Sequence, residues 1–358
     1  MENQNSAMEP EENAGPPSMR DLMPEGDGTA VRRGMKKQFG RIGWTFVLVL
    51  VIWMALMSLV DLVALYLENT FAIPAIDACS RYIMLFNEGM LAAAIVLGSL
   101  LLRPLPRTEP EKKPFSGGRF VQLLLICFAV SIAGSIIGSI LLAIWNAVSG
   151  HSVGNTVSEV IMVSDPWQNL LAVGILAPIL EELLFRKLLI DRTFVYGEKV
   201  SILLSGLLFG LFHMNFSQFF YAFGAGVLLA YLYCRSGKIW LCMLLHAIFN
   251  CYSGVLGSQV LAWMTEAMNS LQDITPEAIA ELSRETMTAI FAAGLYYMLF
   301  FGMAIAGFIL FCVKIRRFRF RPGEIMLPER TRSAVFGNAG MIAALIFAAG
   351  RMVYSLFV

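Results

Sequence analysis

Three apolar stretches of the sequence carry polar side chains of the kinds that do acid–base chemistry. NLLAVGILAPILEELLFRKLLIDR holds Glu181, Glu182 and Arg186. SILLSGLLFGLFHMNF holds Phe209 and His213, and IWLCMLLHAIFNCYSG holds His246 and Asn250. In a helix, residues four apart share a face, so Glu182 faces Arg186, Phe209 faces His213 and His246 faces Asn250. Glu182 lies N-terminal to Arg186, the order that favours an ion pair. Glu181 points about 100° away and is free for other work. A carboxylate withdrawn from water is a stronger base, imidazoles move protons, and imidazole and carboxamide donors can meet an oxyanion. The chemistry these groups suit is attack of an activated water on a carbonyl.

Each residue also has a plainer use. Glu182 and Arg186 serve as a structural ion pair, a histidine inside a bundle as a hydrogen-bonded packing residue, Asn250 as interhelical glue and Phe209 as filler. Taken separately these uses require several independently compensated burial costs. A zinc site is the chemical rival, since a glutamate and two histidines are a known ligand set. The HExxH spacing is absent and the ligands would come from three helices, so no metal is assigned. The six cysteines form no CxxC pair and read as packing residues. Asp61, Asn87, Glu88 and Arg351 also fall in apolar stretches, without partners at helical spacing, and no chemistry is assigned to them.

The elements that must position these groups are membrane helices. The chain is 57% hydrophobic and only 15% charged, too apolar for an ordinary soluble domain. The net charge of +1 gives no reason to expect a nucleic-acid partner. Apolar runs near the ~20 residues needed to cross a bilayer fall at 42–66, 82–102, 120–147, 167–190, 200–213, 216–234, 239–256, 287–313 and 334–358. The fold expected is an all-α polytopic membrane protein, a bundle of eight to nine transmembrane helices with the polar site among the fourth, fifth and seventh. Lys and Arg cluster before the first span and after the second, fourth, sixth and eighth. They fall on one side if nine spans alternate, which puts the N-terminus in the cytoplasm of a multi-pass cell-membrane protein.

The polar, Pro- and Gly-containing residues 1–38 are expected to form a disordered cytoplasmic tail. Residues 39–147 are the N-terminal transmembrane helices, 165–256 the core with the polar groups, 257–286 an extracytoplasmic amphipathic loop and 287–358 the C-terminal transmembrane helices. Depth follows from the 1.5 Å rise per residue. Glu181 lies ~20 Å below the outer end of its span and His246 ~10 Å above the inner end of its own, both in the inner half. His213, at the far end of a short span, sits too high. Pro178, lacking an N–H, frees a carbonyl near Gly174 and is expected to bend the fourth span just above the carboxylates.

Glu181-Glu182-x-x-x-Arg186, Phe209-x-x-x-His213 and His246-x-x-x-Asn250, in this order and helical context, resemble the three signature motifs of the CPBP family. These are the CAAX proteases and bacteriocin-processing proteins, among them the type II CAAX prenyl endopeptidases. The likeness covers roughly residues 165–256. It implies a glutamic intramembrane endopeptidase without a metal cofactor, in which Glu181 and His213 activate water while His246 and Asn250 stabilise the oxyanion. Glu182, Arg186 and Phe209 would support them. The substrate implied is a membrane-associated protein or peptide. The alternative is a non-catalytic scaffold or bacteriocin immunity protein that uses the same residues structurally.

Overall fold

The computed structural model describes residues 28–150, 153, 161, 164–271, 284–327 and 330–357. Among them the chain is helical, without strands. Helix α1 spans Gly28–Phe71, α2 Ala75–Arg81, α3 Ile83–Ser99 and α4 Gly117–Ser149. Helix α5 (166–193) follows, then α6 (Glu198–Phe212), α7 (Phe216–Ser236) and α8 (239–271). Arg284–Ile315 forms α9, Thr331–Phe336 α10 and Ala339–Tyr354 α11.

Six helices are long and apolar enough to cross a membrane: α1, α3 with its following turn, α4, α7, α8 and α9. Their outward faces are apolar, with Leu62, Val96 and Phe291 each more than 60% exposed, as lipid-facing residues are. The other three expected spans differ from simple crossing helices. Helix α5 carries Glu181, Glu182, Arg186 and Lys187 within about two turns, and two of its stretches, Leu170–Leu176 and Leu183–Ile190, are π-helical. Helix α6 has 15 residues. The last span divides at Gly337 into α10 and the 16-residue α11.

Two boundaries fall elsewhere than the sequence suggested. Helix α1 begins at Gly28, inside the expected tail, because Met35, Gln38 and Phe39 are buried. Residues 1–27 lie outside the described residues. The segment from 257 continues α8 as helix to Leu271 rather than looping at once. Tyr252 and Tyr296, whose rings stack at 5.1 Å, hold this helix against α9. Residues 272–283 lie outside the described residues.

Helices α6 and α7 form the hairpin against which α5 packs. Asn215 closes its turn: its Oδ1 accepts from the Gln218 N–H at 2.9 Å and its Nδ2 donates to the His213 carbonyl at 2.8 Å. This places His213 at the C-terminal end of α6. The opposite end is fastened by an ion pair of 2.8 Å between Glu198 and Arg235. Gly206 and Gly210 let the two helices touch, since a Cβ at Gly206 would meet the Val227 side chain and backbone, and one at Gly210 the Phe219 carbonyl and Phe223.

Gly206→Val should therefore lower stability by about 1–3 kcal/mol through overpacking. Gly294→Ala on α9, where a Cβ meets nothing within 4 Å, should be neutral or slightly stabilising. Thermal unfolding in detergent reads both.

Candidate active site

Helix α5 supplies the acids. Glu182 and Arg186 are fully buried, and Arg186 Nε lies 2.8 Å from Glu182 Oε2 while Nη2 donates to Oε1 at 3.2 Å. The pair is not closed on itself. His246 from α8 places Nδ1 3.0 Å from the same Oε1. Arg186 Nη1 donates to Ser205 Oγ at 2.8 Å, and that hydroxyl donates to the Phe185 carbonyl at 3.0 Å. One carboxylate thus joins α5 to α8, and its arginine joins α5 to α6.

This geometry fixes the histidine. Arg186 stays charged and holds Glu182 as an acceptor-only carboxylate. The proton in the contact therefore sits on His246 Nδ1, an assignment made from the partners. The remaining nitrogen, Nε2, points to Glu181, 3.7 Å from its Oε2. With Nδ1 protonated, a neutral His246 presents a lone pair at Nε2, and only the imidazolium donates there. Glu181 itself is 7% exposed and is not engaged by Arg186, in keeping with its different direction on the helix.

Phe209 is the platform of the site. Arg186 lies over its ring at 5.1 Å, and the rings of His213 and His246 meet it edge-on at 5.3 and 5.7 Å. A single phenyl group thus spans the depth difference that separated the two histidines in the sequence reading. The His213 side chain is half-buried, and its ring nitrogens make no hydrogen bond among the described residues.

Asn250 is placed differently. Its Nδ2 donates to the Val173 carbonyl at 3.0 Å. In the π-helical stretch Leu170–Leu176 each carbonyl accepts from the N–H five residues on, as Ala172 does from Ala177. The acceptor bond of Val173 would come from residue 178, and Pro178 has no N–H. Asn250 supplies the missing donor, and Cys251 Sγ, 3.8 Å from the Gly174 carbonyl, covers the next one. Pro178 removes one donor, and the carbonyl it leaves lies next to Gly174, where the sequence put it. One amide hydrogen of Asn250 is committed to this bond, and the other remains for a further acceptor.

The structure thus gathers Glu181, Glu182, Arg186, Phe209, His213 and His246, and sets Asn250 one turn beyond His246. Sequence reasoning passed over Ser205, although Ser205, Phe209 and His213 stand at four-residue steps on one face of α6. It also left Glu88 unassigned. Glu88 is 7% exposed on α3, which packs against α5. No signal in the sequence tells which helix covers α5. Among the described residues, no group of three His, Cys, Asp or Glu side chains is arranged to hold a metal ion.

Residues 163–252, about a quarter of the chain, match the family described as Type II CAAX prenyl endopeptidase Rce1-like. The resemblance read from the three motifs holds over the segment that carries all of them, which is similar to that CAAX protease family. Comparison with curated proteins and with solved structures returns no match.

Asn250→Ala should cost about 1–3 kcal/mol of stability by leaving the Val173 carbonyl unpaired. In a Pro178→Ala background, which restores an N–H to α5, the same substitution should cost much less. A double-mutant cycle on unfolding in detergent measures the difference.

Proposed function

We propose that this protein is an intramembrane endopeptidase that hydrolyses peptide bonds of membrane-associated proteins or peptides with an activated water. The observation that carries the reading is the arrangement at Glu181. A buried carboxylate, unclaimed by the neighbouring arginine, faces the free nitrogen of an imidazole whose other nitrogen is held by Glu182. A carboxylate orienting an imidazole toward the reacting groups is a recurring catalytic device. The family that residues 163–252 match is a protease family.

In this reading Glu181 takes a proton from water, and His213, with its unpartnered ring nitrogens, holds that water. The water oxygen bonds to the carbonyl carbon. The oxyanion that forms is met by His246 as imidazolium, stabilised by Glu182, and by the second amide hydrogen of Asn250. Collapse breaks the C–N bond and returns a proton to the departing amine. The protein lies in the cell membrane with its N-terminus in the cytoplasm, the side to which the basic loops assign it. No metal takes part.

A second reading draws on the Asn250–Val173 and His246–Glu182 bonds, which would equally stabilise a non-catalytic scaffold or bacteriocin immunity protein. The two separate cleanly. Purified protein in detergent is given a peptide library and the products are read by mass spectrometry. Glu181→Gln and His213→Ala should each abolish cleavage while the protein stays folded, and a chelator should leave the wild type unaffected. Full cleavage by either folded variant defeats the peptidase mechanism. Biological activity retained in the folded Glu181/His213 double variant establishes the second reading.

A further inference from the structure

Three segments far apart in the sequence meet at the end of the bundle where α7 turns into α8. Arg235 Nη2 of α7 donates to the Arg319 carbonyl at 2.7 Å, and the Lys113 N–H donates to the Ser236 carbonyl at 2.9 Å. The chain that leaves α9 is thereby folded back onto the bundle. Beyond Arg319 it is buckled to the start of α6. The Arg321 N–H donates to Glu198 Oε2 at 2.9 Å, the Glu198 N–H to the Arg321 carbonyl at 3.1 Å and the Ile325 N–H to the Val195 carbonyl at 3.1 Å. No side chain fits where the two strips of backbone cross, since a Cβ on Gly323 would meet the Val195 carbonyl.

These contacts hold basic side chains together at a fixed place. Lys112 comes from the first segment, Lys238 from the turn between α7 and α8, and Lys314, Arg316, Arg317 and Arg319 from the end of α9 and the chain after it. None of them forms an ion pair among the described residues. The neighbouring acids are already taken: Glu109 pairs with Lys187, Glu111 with Lys113 and Glu198 with Arg235. On the segment after α9, Glu324 is exposed. The basic side chains therefore face outward without a counter-charge of their own.

Aromatic rings are interleaved with them. Phe318 packs on Tyr231 at 5.4 Å, Phe320 meets Phe318 edge-on at 4.8 Å, and Met326 on the same segment is 91% exposed. Arginines and aromatic rings directly after an apolar crossing helix suit the depth of lipid headgroups, where one end of each side chain is apolar and the other wet. A phosphate there can take paired N–H bonds from a guanidinium.

We propose that this corner binds the headgroup phosphates of acidic phospholipids, and that the lipid so held stabilises the strap from 319 to 325 on the first turn of α6. That helix carries Ser205, Phe209 and His213, so the lipid steadies the bundle beneath the site without touching it. Binding of this kind holds whether or not the protein cleaves peptides.

Full-length protein in a neutral detergent is titrated with phosphatidylglycerol or with phosphatidylcholine, and bound lipid is counted by native mass spectrometry. Phosphatidylglycerol should bind the more tightly, and its advantage should shrink in high salt. It should also raise the unfolding temperature, which inorganic phosphate should leave unchanged. Arg316→Gln with Arg317→Gln should weaken phosphatidylglycerol binding by about 20-fold, the joint contribution of two basic side chains beside an acidic surface. The side chains of Arg316 and Arg317 are exposed and make no hydrogen bond or ion pair among the described residues, so these variants should fold. Arg316→Lys with Arg317→Lys should keep most of the binding. Arg33→Gln with Lys37→Gln removes the same charge from exposed positions on α1 and should change little. Equal binding of the two lipids by the wild type, equal stabilisation by inorganic phosphate, or the same effect from both Gln pairs overturns the proposal.

Discussion

The site depends on one buried carboxylate with two partners on two helices. Glu182 neutralises Arg186 within α5 and accepts the His246 Nδ1 proton from α8. Removing either partner would leave a charge or a donor stranded out of water, which costs far more than a surface contact is worth. The helices are therefore locked in a relation that turns His246 Nε2 toward Glu181. Arg186 extends the lock to α6 through Ser205 and lies over Phe209, on whose ring both histidines rest. The pair that the sequence offered as a brace for one helix also holds His246 from a second.

The second constraint is the proline. Pro178 lies one turn before Glu182, and its missing N–H falls where α5 winds as a π-helix. The Val173 carbonyl that it leaves is met by Asn250, and Cys251 lies against the next one, one turn beyond His246 on α8. The same two helices are thus joined twice, once by charge and once by backbone carbonyls. In this arrangement the third motif has a double use. His246 is held by the acid pair, and Asn250 ties down the irregular backbone while keeping one amide hydrogen free.

Much of this was legible in the residues. Four-residue spacing gave the Glu182–Arg186 pair, the separate direction of Glu181 and the shared faces of α6 and α8. Gly206 and Gly210 announced a close helix contact, and Pro178 a disturbed ladder. What spacing within a helix does not carry is the partner across the gap. Nothing in the sequence says that His246 faces Glu182 as well as Glu181, that Asn250 reaches Val173, or that α3 packs against α5. The apolar runs located helices but not their interruptions. The last span divides at Gly337, and α5 combines π-helical stretches with six charged side chains. Hydropathy alone does not separate a crossing helix from one that the bundle shields.

The central claim is that Glu182 sets the tautomer of His246. The chain has only three histidines, so nitrogen-15 NMR of protein labelled at histidine can resolve that ring. The account predicts a proton on Nδ1 of His246 in the wild type, lost from that position in Glu182→Gln once the amide replaces the carboxylate. A wild-type ring protonated only at Nε2, with a bare Nδ1, would contradict it.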